Sequence, residues 1–171
     1  VERSSASTTR ICKLYDVEND ANCRAVRERI TELDLVVSQV VPSAKNSRVW
    51  NSGDLAEGSI LPRMVVAEEE GEKVLEGVDS ILSYLDATFA SPSSSIAEEE
   101  EGFVIPDEVT STLASILRFG RGSQVCLAAM SSLTPRATKP LVLYSYEGNQ
   151  FCRLVREVLT ELDLPYELRS A

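Results

Sequence analysis

Two stretches of the chain are nearly the same, and they decide the fold. Residues 14–35 read LYDVENDANCRAVRERITELDL, and residues 143–164 read LYSYEGNQFCRLVREVLTELDL. Aligned without gaps at an offset of 129, the two stretches are identical at 13 of 22 positions. A match of this length indicates an internal duplication, so one structural unit should occur twice.

Each copy is typical of a strand followed by an amphipathic helix. Residues 11–17 and 140–146 are short segments rich in β-forming residues. Apolar residues then recur every three or four positions, which predicts one inward-facing helical stripe in each copy. The stripe positions are Cys23, Val26, Ile30 and Leu33 in the first copy and Cys152, Val155, Leu159 and Leu162 in the second.

The remaining helix positions and the next strand complete the unit. We expect the charged residues of the first helix to lie in solvent on the face opposite the stripe. These residues are Arg24, Arg27, Glu28 and Glu32. A second short strand follows at residues 36–41 and again at 166–169, so each copy is predicted to be a parallel, right-handed βαβ unit.

Only the first copy continues beyond its second strand. A polar loop with one helical turn spans residues 46–59, and a third strand, entered through Leu61-Pro62, spans 61–67. A hairpin turn at 68–73, a strand at 74–75 and a helix at 79–88 with Ile81, Leu82 and Leu85 inward follow. This βαβ-ββα order predicts an α/β, thioredoxin-like domain.

The expected domain organisation has four parts. Residues 1–10 are predicted to be a disordered tail, and residues 11–89 the thioredoxin-like domain. Residues 90–138 form an acidic linker plus a helix at 106–120, and the segment 103–135 is expected to pack against one or both copies. Residues 139–171 supply a truncated second repeat, the first βαβ half of another such domain.

The composition excludes several classes of function. Of 171 residues, 43% are hydrophobic and 26% charged, as in ordinary soluble globular proteins. The net charge of −10 repels phosphate backbones, so we expect no nucleic-acid partner. No apolar run approaches the roughly 20 residues of a membrane-spanning helix, so any membrane association would be peripheral.

The four cysteines point to free thiols. No two of them stand at metal-ligand spacing, and the chain has no histidine, so neither a common zinc site nor a Ser-His-Asp triad is predicted. We expect reduced thiols in an intracellular compartment. One hypothesis stays open, a thiol switch in which Cys23 or Cys152 pairs with Cys12 or Cys126.

The N-terminal segment suggests a compartment. Residues 1–10 are rich in Ser and Thr and contain Arg, a composition that fits the remainder of a cleaved organellar transit peptide. A trimmed chain would look the same.

The two copies, together with residues 61–64, 81–85 and the bridge RFGRGS (118–123), resemble a known family. It comprises the plastid and cyanobacterial proteins with tandem glutathione-transferase N-terminal, glutaredoxin-like domains of the thioredoxin fold. The resemblance implies a plastid location on the stromal side; the alternative is the cytoplasm.

The same resemblance implies a Cys-Pro-x-Cys motif at the start of the first helix. Its first Cys is the nucleophile, held as a thiolate by the helix N-terminus. Cys23 and Cys152 match the second, resolving Cys, whereas Asp20 and Asn149 stand at the nucleophile position. Because Asp and Asn are good N-cap residues, we expect them to keep the helix start without the chemistry, and Cys23 and Cys152 to be packed thiols.

Glutathione is the one ligand that the resemblance implies, and no cofactor follows with certainty. Besides Asp20, the implied glutathione site uses Leu61 and Pro62 at a cis-proline position. The acidic/Ser pair of the family falls on Gly77-Val78, or on Glu76-Gly77 with one inserted residue. Neither alignment retains the Ser.

Two main functions follow. The first is a pseudoenzyme acting as a binding or scaffolding subunit with a protein partner, such as a photosynthetic membrane complex. The alternative is a glutathione-dependent transferase or thiol-disulfide oxidoreductase with an atypical active site, for which Cys23 and Cys152 are the catalytic candidates. Tyr15 and Tyr144 lie inside the first strands and are expected in the core.

Overall fold

The computed structural model describes residues 9–56, 58–69, 71–90, 121–130 and 139–171. Its elements in chain order are β1 (Arg10–Asp16), α1 (Ala21–Glu32), β2 (Val37–Pro42), α2 (Val49–Ser52), β3 (Arg63–Glu68), β4 (Gly71–Glu76), α3 (Val78–Phe89), α4 (Leu127–Met130), β5 (Leu141–Ser145), α5 (Gln150–Glu161) and β6 (Tyr166–Ser170). None of the described helices is long and apolar enough to cross a membrane.

The first copy has the predicted α/β, thioredoxin-like arrangement. β1 and β2 are parallel, β3 pairs antiparallel with β1, and β4 pairs antiparallel with β3. The strand predictions are confirmed to within two residues except at β4, which begins at Gly71 rather than Val74. The predicted helical turn in the loop after β2 is α2.

The two copies share one sheet. The six strands stand in the order β4-β3-β1-β2-β6-β5, and the second copy is parallel within itself. β2 and β6, which are equivalent strands of the duplication, pair antiparallel, with Val37 opposite Leu168 and Val40 opposite Tyr166. An antiparallel pair of equivalent strands relates the two βαβ units by an approximate two-fold axis.

The core of the first copy lies between the sheet and its helices. α1 and α3 pack on one face, where Val26 and Ile30 meet Ile81 and Leu85 in the same buried cluster. The stripe predicted for α1 is therefore confirmed. On the other face, α2 covers a smaller cluster built around Tyr15.

The second copy departs from the prediction. Val155 and Leu162 of the predicted inward stripe are exposed, and Tyr144, expected in the core like its counterpart Tyr15, is exposed too. The reason is position: β5 is an outermost strand of the sheet, and no described strand or helix lies beyond it as β3 and α3 lie beyond β1 and α1. Equivalent residues are thus buried in the first copy and exposed in the second.

Residues 121–130, which belong to the segment expected to pack against one or both copies, contact both of them. Val125 N–H donates to the Lys45 carbonyl, and Cys126 N–H donates to the Glu161 carbonyl. The Arg121 guanidinium pairs with the Glu161 carboxylate. The predicted helix at 106–120, the acidic linker at 91–101 and most of the N-terminal tail lie outside the described residues.

Candidate functional site

The N-terminus of α1 is closed by the chain's own carboxylate. Asp20 is the N-cap residue, and its Oδ1 accepts a hydrogen bond of 2.8 Å from the Cys23 N–H. In a thiol-based site that same free N–H group would stabilise a thiolate. Asp20 thus occupies the anion position of the helix end with a group that cannot attack a disulfide.

Cys23 is packed under this cap. Its side chain is fully buried, and its Sγ accepts a long hydrogen bond of 3.4 Å from the Val17 N–H. Burial, together with the nearby carboxylates of Asp16 and Asp20, raises the pKa of the Cys23 thiol far above its ordinary value. A thiol that stays protonated and out of solvent is a poor nucleophile.

The second copy repeats the cap with an amide. The Asn149 side chain accepts hydrogen bonds from the N–H groups of Phe151, at 2.8 Å, and Cys152, at 3.4 Å. Cys152 itself is half-buried, and all four cysteines are free. Both helix starts therefore keep their capping geometry, and neither presents a thiol at the cap position.

The residues implied for glutathione binding lie at one end of the sheet. At this end of the sheet Tyr15 of β1 pairs with Arg63 of β3, and Arg63 pairs with Glu76 of β4. Pro62 and Gly77 adjoin Arg63 and Glu76 in the chain, so they lie at the same end. The Leu61-Pro62 bond is cis, and the Gly77 N–H donates to the Pro62 carbonyl at 2.9 Å.

The positions aligned with the acidic/Ser pair, Gly77-Val78, lie at the start of α3. Gly77 is the N-cap of α3 with φ at +81°, and neither it nor Val78 carries an oxygen on its side chain. The acidic and hydroxyl side chains that follow these positions are those of Asp79 and Ser80 in the first turn of α3.

A buried ion-pair cluster joins the two copies, and its residues were not predicted as a site. Arg27 Nε lies 3.1 Å from Glu147 Oε2, and Arg156 Nε lies 2.9 Å from Glu18 Oε2. Each guanidinium thus pairs with the glutamate of the other copy. Arg156 also reaches its own copy's Glu147, at 3.1 Å.

The prediction that Arg27 lies on a solvated face is wrong. Its side chain and that of Arg156 are both only 1% exposed. Helical periodicity assigned Arg27 to solvent because it assumes a single buried face, and α1 has a second buried face against the other copy. A signal was available: Glu18, Arg27 and their counterparts are identical in both copies.

The cluster carries one excess negative charge. Asp16 lies 2.5 Å from Arg27, whereas its counterpart Ser145 accepts a hydrogen bond of 2.9 Å from Arg156, so three carboxylates face two guanidiniums. Burial lowers the pKa of Arg27, but the surrounding carboxylates outweigh it and raise that pKa. Burial also raises the pKa of Asp16 and of Glu147 despite both arginines.

These raised values predict an unusual pH dependence. A carboxyl whose pKa is raised by folding contributes stability that is complete below its ordinary value, about 4, and is lost as pH rises through the folded value. Asp16→Asn has no carboxyl at this position, so it does not lose this stability as pH rises. We expect the free energy of unfolding of Asp16→Asn, relative to wild type, to increase as pH rises from about 4, by about 1.4 kcal/mol per unit of pKa shift.

Urea unfolding of both proteins across this pH range measures the effect. Taking the difference cancels the titration of groups that do not interact with Asp16. The groups that face Asp16 (Glu18, Cys23, Arg27, Arg156 and Tyr166) are all kept in the variant. A difference that does not change with pH would show that Asp16 titrates alike in the folded and unfolded states.

A groove with a volume of about 810 Å³ lies on the α2 side of the sheet, away from the predicted site. Arg10, Lys13 and Ser38 line it from the first copy and Lys139 and Glu167 from the second. None of Asp20, Cys23, Pro62, Gly77 or Cys152 is among its lining residues. Within the part of the chain that the structure describes, no cluster of three metal-binding side chains occurs.

No protein-family profile matches the chain. No curated protein matches it either. Among solved structures it is similar to maleylacetoacetate isomerase from Anaeromyxobacter dehalogenans with glutathione bound in the active site, at 15% identity and a TM-score of 0.40. A second structure of that enzyme, holding dicarboxyethyl glutathione and citrate, gives 15% identity and 0.38.

These similarities cover 92% of this chain, which spans 61% and 60% of the lengths of the two isomerase chains. The thioredoxin-like fold therefore rests on the strand order and connections of residues 10–89 themselves.

Proposed function

We propose that this protein is a binding subunit that keeps a thioredoxin-like fold without thiol–disulfide chemistry. The observation that carries the proposal is the start of α1, where the Asp20 carboxylate caps the helix 2.8 Å from the Cys23 N–H. Cys23 itself is buried beneath the cap. What remains of the fold is a framework with an extended sheet, which is suited to holding a protein partner.

The first test is thiol reactivity and disulfide reduction. We expect the folded wild type to show no reduction of a protein disulfide by glutathione above the uncatalysed rate, and no retention on immobilised glutathione. Cys23 should react with Ellman's reagent only after unfolding, because both its burial and its raised pKa suppress the thiolate. Cys23→Ser serves as the matched variant.

Activity that is present in wild type and abolished in Cys23→Ser would overturn the proposal in favour of an oxidoreductase. Asp20→Cys provides the positive control, because it places a thiol at the helix N-terminus where the free N–H groups can stabilise its charge. We expect this variant to gain one thiol that reacts rapidly in the folded state.

The partner and compartment form the second half of the proposal. A plastid location, and a place on the stromal side of a photosynthetic complex, follow from the family resemblance alone. Sizing of the native protein from its source tests the binding role directly. Elution in a larger assembly supports it, and elution at all times as a free monomer contradicts it.

A further inference from the structure

The buried ion-pair cluster between the copies departs from their internal symmetry at one position. At the offset of 129 its other four members match in residue type, and they are Glu18 with Glu147 and Arg27 with Arg156. Asp16 at the end of β1 corresponds instead to Ser145 of β5. Two glutamates and two arginines form a neutral set, so Asp16 supplies the excess negative charge among the described members of the cluster.

The second copy shows that this position needs no charge. Ser145 is buried, and its hydroxyl oxygen accepts a hydrogen bond of 2.9 Å from Arg156. Asp16 is buried too and accepts the equivalent hydrogen bond from Arg27, at 2.5 Å. A neutral oxygen thus satisfies one guanidinium, whereas a carboxylate at the same place adds a charge that burial disfavours. Such a site is stabilised by taking up a proton.

The excess charge lies where the two copies meet. The guanidinium of Arg27 contacts Asp16 of its own copy at 2.5 Å and Glu147 of the other copy at 3.1 Å. Asp16 and Glu18 are two residues apart in the chain, so they stay close together whatever the copies do. Glu147 belongs to the other copy. Repulsion among the ionised carboxylates is therefore relieved by a small separation of the copies, which admits water to the cluster.

The strand pairing that joins the copies is interrupted. β2 and β6 pair at Val37 with Leu168 and at Val40 with Tyr166, and the register shifts between these two points. β1 and β2, by contrast, pair in a single register. A register shift leaves part of a ladder without regular hydrogen bonds, so this pairing can loosen while the rest of the sheet stays intact.

The cluster and the β2–β6 pairing together form the junction between the copies. We propose that this junction is pH-sensitive: it is tight while the cluster holds one proton, and it loosens once that proton is lost. The inference goes beyond the proposed binding function and does not depend on it. It also assigns a place to the pH dependence of stability, because the change is confined first to the contact between the copies.

The surroundings of Asp16 leave this proton to the carboxyl groups. The other groups that face Asp16 come from α1, α5 and β6, and they are Cys23, Arg27, Arg156 and Tyr166. Burial raises the pKa of the Cys23 thiol and of the Tyr166 hydroxyl, so both keep their protons. Burial lowers the pKa of both arginines, but the carboxylates outweigh it, so both stay charged.

The facing carboxyls are Glu18 and, across Arg27, Glu147. Burial raises the pKa of Asp16 and of Glu147, so these coupled groups hold the proton between them. A carboxyl whose pKa is raised by folding contributes stability at low pH and loses it as pH rises. The junction is therefore expected to loosen on the alkaline side.

Hydrogen exchange of the full chain tests this expectation. Protection factors, which correct for the intrinsic pH dependence of exchange, are compared between the β6 amides at 166–168 and the β3 amides at 63–68. In the wild type we expect β6 protection to fall at least about tenfold relative to β3 between about pH 5 and about pH 8. Carbon-13 NMR of labelled carboxyl groups should show one titration above the ordinary range of Asp and Glu.

The duplication supplies the matched variant. Asp16→Ser gives the first copy the residue type that Ser145 has in the second, and it makes the cluster neutral. Its β6 protection relative to β3 should stay constant within about twofold over the same range, and the high carboxyl titration should be absent. Asp79→Ser removes an exposed aspartate from the first turn of α3 and should behave as the wild type does. Asp16→Asn replaces the serine variant should that one not fold.

Constant relative protection of β6 in the wild type would overturn the inference. An equal fall in Asp16→Ser would overturn it as well, because the excess carboxyl would then not be the cause. Carboxyl groups that all titrate in their ordinary range would show that the cluster holds no proton, and the inference fails on that result too. The thiol assays and the native size decide the proposed function independently of these outcomes.

Discussion

Replacing Arg27 by Ala should lower the free energy of unfolding by about 3–5 kcal/mol. Truncation of one member of a buried ion pair leaves its partners charged, desolvated and unpaired, which is far more costly than the pair itself is favourable. Here Asp16, Glu18 and Glu147 all lose a guanidinium at once. The loss is a large fraction of the 5–15 kcal/mol that holds a typical domain folded.

A matched control, Arg24, lies three residues before Arg27 on α1. Arg24 pairs with Glu28 at 2.8 Å, and about a third of each side chain (31% and 35%) is exposed, against 1% for Arg27. Exposed pairs contribute about 0–1 kcal/mol, so Arg24→Ala should change stability little. Both variants are compared with wild type by urea unfolding followed by circular dichroism. Equal losses for Arg27→Ala and Arg24→Ala would show that the cluster is not a desolvated network.

The duplication extends this prediction. Arg156→Ala removes the equivalent guanidinium of the second copy and leaves Glu18 without its 2.9 Å contact. We expect a loss of similar size, about 3–5 kcal/mol, even though Arg156 belongs to the copy with fewer covering elements. A much smaller loss would mean that the second copy can separate from the first without unfolding it.

The second large effect is a difference in stability between lysine substitutions at two equivalent valines, Val26 and Val155. Val26→Lys should destabilise the protein by about 4 kcal/mol or more, because it places an ammonium group in a closed apolar cluster. Val155→Lys, at the equivalent position of α5, should change stability by less than about 1 kcal/mol, since that side chain already faces solvent.

Thermal and urea unfolding of the two variants measure this contrast. Val26→Ala is included to separate the cavity from the charge, and its cost should be smaller than that of Val26→Lys. Comparable losses of stability for the two lysine variants would show that the side chain of Val155 is buried in solution.

Local features of both copies were predictable from sequence. The strands, the helices and the Asp20 and Asn149 caps depend on residues close together in the chain: alternating β-formers, a three-and-four spacing, and a side chain able to reach an N–H two or three positions on. The stripe of α1 from Cys23 to Ile30 is buried for the same reason. Such features recur in both copies because their sequences recur.

Two predictions failed where the answer depended on what lies across the sheet. Arg27 was placed in solvent and is buried, because α1 faces the second copy as well as its own core. Tyr144 and Val155 were placed in the core and are exposed, because β5 is an outermost strand. Neither error involves the wrong secondary structure; each involves a neighbour distant in sequence.

The duplicated stretches by themselves determined the βαβ unit and its two caps, Asp20 and Asn149. Only the tertiary structure decided that β2 and β6 pair, that Arg27 and Glu147 meet across the copies, and that α5 keeps a bare apolar side. The physical reason is that helix and strand formation is set by local spacing, whereas burial is set by which surfaces meet. The two similar stretches therefore fold alike, and their equivalent residues are buried differently.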